Sequence, residues 1–330
     1  MMCERGKGLE ALIQQEYSNI SGLAISIGDQ LEYEYYADGY AQDSSTHIAS
    51  VTKSILSLLV GIAVERGAIK SIEDRVLDYF PFYQLKRGEK TIQQLTIRHL
   101  LTMVAPYKFR SEPYTKVYTS NDWTVAALDL LGGKGNVGDF KYTTVGLQVL
   151  SGIITHATGQ SVLEFANNNL FEPLDIKVSQ NIRIQDKSTY LSFLKEAVTS
   201  GWVIDPAGVN TAGWGLTLTT GDMVKIGQLC LKKGTWKNKK IVSAEWINNS
   251  VRKHSFLDKK AYGFLWWIID DVSGTYAAIG DSGNIIYVST QHEMVVAITS
   301  QFKPRAKDRI ELITKYIEPK FVSGREPLAV

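Results

Sequence analysis

Ser50-Val51-Thr52-Lys53 places a hydroxyl and an amine three residues apart. A serine hydroxyl is a poor nucleophile until a base takes its proton. On a helix, residues i and i+3 share a face, so the Lys53 amine can reach the Ser50 oxygen. Lysine titrates at roughly 10.4 in water and becomes a base only where burial or a neighbouring cation lowers that value. A serine at a helix N-terminus also sits in a partial positive field that favours a developing oxyanion. The chemistry implied is acyl transfer through a serine-bound intermediate. Taken alone, Ser-x-x-Lys is common, and its plain reading is a capping serine with an exposed lysine. Position weakens that reading. An almost unbroken apolar helix follows and would bury Lys53 among apolar neighbours, which is costly unless the lysine has a role or a partner.

Other motifs carry less. Gly133-Lys134-Gly135-Asn136-Val137-Gly138 matches Gly-x-Gly-x-x-Gly, but it follows a helical pattern rather than a strand and has no βαβ unit around it. It also fails as a phosphate loop, because Asp139 stands where lysine is required. His292-Glu293 lacks a second histidine at zinc spacing, and His47, His99, His156, His254 and His292 are scattered. No metal site is expected. Gly280-Asp281-Ser282-Gly283 is a serine-protease-like loop, but that reading needs an all-β chain. There is no Gly-x-Ser-x-Gly elbow of the α/β-hydrolase kind.

The elements that must position Ser50 and Lys53 follow from periodicity. Val51, Ile55, Leu58, Leu59 and Ile62 repeat at helical spacing across Ser50–Arg66, and Gly67 supplies a stop. Before it, a helix over 7–19 leads into strands Gly22–Gly28 and Leu31–Tyr36, joined by a Gly28-Asp29-Gln30 turn. Thr96–Met103, Asn121–Leu131, Thr143–Ala157 and Ser161–Leu170 read as helices; Asp122 or Ser120 caps the second, and Ser161 with Glu164 forms a capping box. Thr220–Lys233 and Ser243–Ser250 are helical. Strand-like runs then fall at Tyr262–Ile269, Thr275–Ile279 with Ile285–Val288, and Met294–Thr299, before a terminal helix Lys307–Ile317. Strands at both ends and helices between them predict an α+β fold: an antiparallel sheet flanked by N- and C-terminal helices, with a mainly helical inserted region. The expectation is one catalytic domain over 1–330, with its sheet region at about 1–66 and 200–330 and its helical region at about 67–199.

Composition sets the limits. The 330 residues carry 36 basic and 34 acidic side chains, a net charge of +2, which gives no electrostatic reason to expect nucleic acid. Cys3 and Cys230 are the two cysteines and make no disulfide framework. The start has no signal-peptide h-region, and the longest apolar stretch, Ile55–Val64, is too short to span a bilayer. Cytoplasmic is the default expectation, although a leader removed on export would leave the same trace. The sequence does not reveal the oligomeric state.

Taken with its neighbours, His47-Ile48-Ala49-Ser50-Val51-Thr52-Lys53-Ser54 resembles the nucleophile motif of the serine β-lactamase and penicillin-binding-protein superfamily. The branch it resembles most holds class C β-lactamases, D-aminopeptidases, esterases and 6-aminohexanoate-dimer hydrolases. Thr96–Met103, Phe140–Thr144, Leu150–Gly159, Thr217–Gly227, Tyr262–Trp267 and Ile279–Val288 resemble the family's segments in the same order, over about residues 20–300. The resemblance implies that Ser50 is acylated, that Lys53 assists its deprotonation, and that Tyr142 is a shared acid and base whose phenol pKa the lysine lowers. It also implies an oxyanion hole from the amides of Ser50 and Asn284, each such donor being worth roughly 3–4 kcal/mol of barrier. No cofactor is implied. On its own chemistry, Tyr142 reads only as a packing tyrosine after a glycine loop.

Three departures shape the expectation. Thr144 replaces the family's asparagine in Tyr-x-Asn, which argues against efficient β-lactam turnover. Asp281-Ser282-Gly283 falls where a Lys- or His-led triplet is usual. An acid there should repel a carboxylate-bearing substrate and suit a cationic or neutral one. The loop before Tyr142 is also about one residue shorter than usual, which would displace the ring slightly. The favoured reading is hydrolysis of a small-molecule amide or ester. Its rivals are a binding or regulatory module that kept the fold, and a cell-wall D,D-peptidase.

Overall fold

A computed structural model describes residues 6, 8–195 and 199–322. Cys3 and Lys7, part of the readings above, lie outside the described residues. The first helix, α1, runs Leu9–Glu16. Strands β1 (Ile20–Ile27) and β2 (Gln30–Tyr36) follow as a hairpin turned at Gly28, whose φ is +58°. A two-residue strand β3 (Thr46–His47) leads to α2, Val51–Glu65. The middle of the chain supplies α3 (Ile97–Leu101), α4 (Tyr114–Tyr118), α5 (Trp123–Leu130), α6 (Gln148–Thr158) and α7 (Val162–Ala166). Then come β4 (Asn181–Arg183), α8 (Lys187–Lys195), β5 (Trp202–Ile204) and β6 (Thr217–Leu218). The C-terminal third holds α9 (Thr220–Leu231), a small hairpin β7 (Thr235–Trp236) and β8 (Lys239–Lys240), and α10 (Ala244–Ser250). It then forms β9 (Ser255–Leu257), β10 (Lys260–Tyr262), β11 (Trp267–Asp270), β12 (Thr275–Ile279), β13 (Ile285–Ser289) and β14 (Met294–Ser300). α11 (Arg309–Leu312) passes through one π-helical turn into α12, Glu318–Val322.

The sheet is antiparallel throughout, in the order β2-β1-β14-β13-β12-β11-β10-β9. Period-two alternation explains its layers. Leu23, Ile25, Val296 and Ile298 face a core shared with Leu9, Ile13, Ile313, Ile317 and Phe321 of the terminal helices. Ala24, Val295 and Ala297 face the opposite core, shared with α2, α9 and the helical region. β1 and β14 are therefore buried at every position, as strands covered on both faces must be. The expected α+β architecture is the one observed.

Several boundaries differ from the periodicity. The helix expected over Thr143–Ala157 begins at Gln148, because the Thr143 hydroxyl and the Glu112 carboxylate take the amides of Gly146, Thr144 and Val145. The strand expected over Tyr262–Ile269 is two strands, β10 and β11. Between them the chain turns back, with the Gly263 amide donating to the Trp266 carbonyl at 2.8 Å and Leu265 held at φ +63°. The Ser161–Glu164 capping box and the Asp122 cap form as expected.

α2 is the spine of the molecule. Val51 through Ala63 are all buried. Its far end packs against α10 at Gly61, where a Cβ would lie 2.5 Å from the Trp246 ring. A Gly61→Val replacement therefore forces the indole or the helix to move. It should cost about 1–3 kcal/mol of stability, read as a lower urea midpoint with an unchanged slope.

Candidate active site

Four separate segments meet at the N-terminal end of α2. Ser50 is its N-cap residue, and Ala49 before it sits at φ +49°, a rare conformation for a residue with a Cβ. One turn on, the Lys53 side chain is 1% exposed. Its Nζ donates to Ser50 Oγ at 2.8 Å, to the Gly213 carbonyl at 2.9 Å and to Thr144 Oγ1 at 3.1 Å. All three acceptors are neutral. Burial pushes the amine down to about 7, partly opposed by the charges of Asp281 and Glu112. The amine thus has a neutral fraction at physiological pH while in contact with the serine oxygen.

Tyr142 and Thr144 arrive on the turn before α6. The Tyr142 ring stacks on Trp267 at 5.9 Å between centroids, and Lys53 Nζ lies 4.9 Å from the ring centre. The short loop has not taken the ring out of reach, since its phenol also interacts with the Ser50 hydroxyl. The phenol pKa moves the opposite way from the expectation. Burial raises it above the usual tyrosine range; the Ser50 contact lowers it, and the charges of Asp281, Tyr114 and Glu112 raise it further. Tyr142 is therefore a neutral phenol at rest.

Glu112, which the sequence did not single out, fixes this turn. Its two carboxylate oxygens accept from the amides of Thr144 at 3.2 Å and Val145 at 2.9 Å. Gly213 was missed as well. A Cβ there would lie 2.8 Å from Thr144 Cγ2 and 3.2 Å from Lys53 Nζ, so only glycine lets this carbonyl reach the amine. The Gly213-Trp214-Gly215 triplet was the available signal. His47 flanks the group: its Nε2 accepts from the Gly215 amide at 3.1 Å, and burial pushes it down to about 4.

The third segment requires a correction. The sequence placed a triplet at Asp281-Ser282-Gly283 with the Asn284 amide as oxyanion donor. In the structure, Gly283 lies outside the cleft lining, and a Cβ on it would stand 2.6 Å from Nε of the buried Arg309. Ser282 and Asn284 line the cleft as expected, but the Asn284 amide is engaged: it bends back to the Asp281 carbonyl at 3.4 Å, Nδ2 donates to the same oxygen at 2.8 Å, and Oδ1 accepts from the Ser300 amide at 3.0 Å. Ser282 is held from behind, its carbonyl accepting from Asn19 Nδ2 at 2.7 Å. Gly280 is the residue that meets Ser50. A Cβ there would fall 2.6 Å from the Ile48 carbonyl and 3.0 Å from the Ser50 amide. Asp281 follows directly and lines the cleft with Ser50. Among the described residues, neither the Ser50 nor the Asp281 amide donates a hydrogen bond. Gly283 and Gly280 stand three positions apart and both precede a polar residue, so sequence spacing alone did not distinguish them.

The cleft is large, about 1190 Å³, and is walled by the helical region on one side and the β12 end on the other. Among the described residues, no three His, Cys, Asp or Glu side chains converge as a metal shell. No helix among them is long and apolar enough to cross a membrane. The Gly133–Gly138 loop follows α5, away from any strand of the main sheet.

A family model described as Beta-lactamase matches residues 9–318. The chain belongs to the beta-lactamase family. Its relatives include the 6-aminohexanoate-dimer hydrolase of Paenarthrobacter ureafaciens, 23% identical over 301 residues, covering 83% of this chain and 71% of that protein. In fold it is similar to the octameric penicillin-binding protein homologue from Pyrococcus abyssi, with a TM-score of 0.67 at 20% identity over 94% of this chain and 77% of that one. It is similarly close to a penicillin-binding protein homologue from Caulobacter crescentus, with a TM-score of 0.67 at 13% identity over 92% and 93% of the two chains. The fold is thus the serine-hydrolase fold of the beta-lactamase family.

The buried Lys53 leaves a thermodynamic signature. Its folded pKa lies below its unfolded one, so the unfolded chain binds the extra proton between about pH 7 and the usual lysine range. Stability attributable to Lys53 is full above that range and is lost as pH falls through it toward 7. Urea denaturation should show the native protein gaining stability from pH 7 to 9.5 relative to Lys53→Met. Parallel profiles would contradict a depressed Lys53.

Proposed function

We propose that this member of the beta-lactamase family hydrolyses a small amide or ester through an acyl-enzyme on Ser50. The observation that carries the reading is the Lys53 amine, buried, without a carboxylate partner, and 2.8 Å from the serine oxygen. In this reading neutral Lys53 takes the Ser50 proton as Oγ bonds to the carbonyl carbon. The negative charge on the carbonyl oxygen is received by the amides of Ser50 and Asp281. The bond to the leaving nitrogen or oxygen then breaks, and that atom takes the Tyr142 proton, which Lys53 restores through the shared Ser50 site. Water repeats the sequence in reverse and frees the acid. The sheet and helical regions act as one catalytic unit, because each contributes to the centre.

Tyr142 is assigned the relay and Lys53 the first deprotonation because burial moves their pKa values in opposite directions, the amine down and the phenol up. The relative from Paenarthrobacter, named a 6-aminohexanoate-dimer hydrolase, supports an amide substrate. Thr144 engaged with Lys53, and the acidic Asp281 at the cleft, favour substrates without a carboxylate beside the scissile bond, and so weigh against β-lactams and D,D-peptides.

On p-nitrophenyl esters, Ser50→Ala should abolish turnover, and Lys53→Ala should lower kcat/KM at least roughly a hundredfold, as expected of groups acting as one unit. Tyr142→Phe should lose most of the rate. The kcat/KM of the native protein should rise with pH through an apparent pKa near 7, where Lys53 loses its proton. A serine-directed fluorophosphonate that adds no mass to Ser50, or a rate indifferent to pH across that range, would rule the assignment out.

A further inference from the structure

Asp281 is out of place for the chemistry of Lys53. Its charge raises the pKa of the amine that must lose a proton, and raises that of Tyr142 as well. It is exposed, lines the cleft, and among the described residues pairs with no lysine or arginine. Water satisfies an exposed carboxylate, so Asp281 is free to meet a cation that enters the cleft.

The wall it shares with the cleft is aromatic. Tyr114 and Tyr118 of α4 stack at 6.1 Å and 24°, and Tyr118 meets the Trp214 ring at 5.4 Å. Tyr190 of α8 meets Trp214 at 5.4 Å and 84°. Trp214 directly follows the Gly213 carbonyl that holds Lys53, so the aromatic wall starts one residue from the reacting amine. Tyr114 is 49% and Tyr190 37% exposed, so both present free ring surface. Asp281, on the β12 wall, lines the same cleft as these rings on the helical wall, and its charge reaches the Tyr114 and Tyr190 hydroxyls across it. The cations that line the cleft, Arg183, Lys187 and Lys195, are all exposed and come from one segment that ends in α8.

We propose that Asp281 and the exposed rings of Tyr114 and Tyr190 form a subsite for an ammonium group, so that the substrate is an amide or ester carrying an amine or quaternary nitrogen near its scissile bond. A carboxylate beside electron-rich ring faces attracts a cation by charge and by the ring quadrupoles together. The cation also offsets the charge of Asp281, which removes its opposition to Lys53 deprotonation once substrate is bound. The proposal rests on the acyl-enzyme reading for the word substrate, but not for the binding itself.

Binding is tested on Ser50→Ala, which keeps the cleft and cannot turn over. Choline, titrated against tryptophan fluorescence, should bind saturably, while dimethylbutanol, with carbon in place of the ammonium nitrogen, should bind at least roughly tenfold more weakly. Asp281→Asn should weaken choline roughly tenfold. Tyr190→Leu should weaken it too, and Tyr190→Phe should restore it, because the ring face rather than the hydroxyl makes the contact. Equal affinity for the two ligands, or choline affinity unchanged by Asp281→Asn, overturns the proposal. In the native protein, acetylthiocholine should then be hydrolysed with a higher kcat/KM than dimethylbutyl thioacetate. Choline binding on Ser50→Ala without any esterase activity in the native protein would refute the acyl-enzyme reading and leave the subsite standing.

Discussion

The structure turns on the burial of one amine. Lys53 is held by a hydroxyl, a second hydroxyl and a carbonyl, and no carboxylate touches it. Had an aspartate or glutamate been paired with it, the ion pair would have kept the proton on the nitrogen. Neutral acceptors satisfy its hydrogen-bonding capacity without returning the charge stabilisation lost by leaving water. That combination lets a lysine be both ordered and a base. The folded state bears the cost, since an unpaired buried cation is among the most unfavourable groups a core can hold.

The surroundings of the amine are shaped by what is missing from the backbone. Gly213 lets a carbonyl approach Nζ, and Gly280 lets the end of β12 press against the Ser50 amide. Both contacts are backbone against the N-terminal end of α2, whose remaining turns are locked in the core by Ile55, Leu58, Leu59 and Ile62. Glu112 does the same for the Tyr142 turn by occupying two successive amides. Three loops, each from a different part of the chain, are thus anchored to one rigid helix end. Precision at the centre comes from that helix rather than from any loop alone.

Much of this was legible in the sequence. The apolar period over Ser50–Arg66 gave the helix, and with it the pairing of Ser50 and Lys53; strand-like runs separated by Gly and Asp gave the sheet. What was not legible was non-local or backbone-borne. Glu112 acts through amides, which leave no mark on composition. The Thr143–Thr144 turn looked helical because its neighbours are apolar at helical spacing, and the distant Glu112 joins the Thr143 hydroxyl in making the alternative cheaper. The triplet was read at Asp281-Ser282-Gly283 with Asn284 after it, because Gly280 and Gly283 flank the same acidic turn and only tertiary packing tells which side faces Ser50 and which faces Arg309. The phenol of Tyr142 moved up rather than down because burial, a property of the whole fold, outweighed its neighbours.

The centre and the rim of the cleft obey different constraints. Around Lys53 the acceptors are held by the end of α2, by the turn that Glu112 fixes and by Gly213, where no side chain fits. Around Asp281, Tyr114 and Tyr190 the side chains are exposed and carried by a turn and two short helices, where substitution costs little. An acid at position 281 raises the pKa of the base beside it, yet it does so from solvent, where screening limits the damage. A chain with this division can keep its reacting groups and exchange the charge of the group it accepts. The penicillin-binding-protein fold and an aromatic cleft bearing Asp281 are therefore compatible in one molecule: the first is dictated by the interior of α2, the second by side chains that the interior does not need.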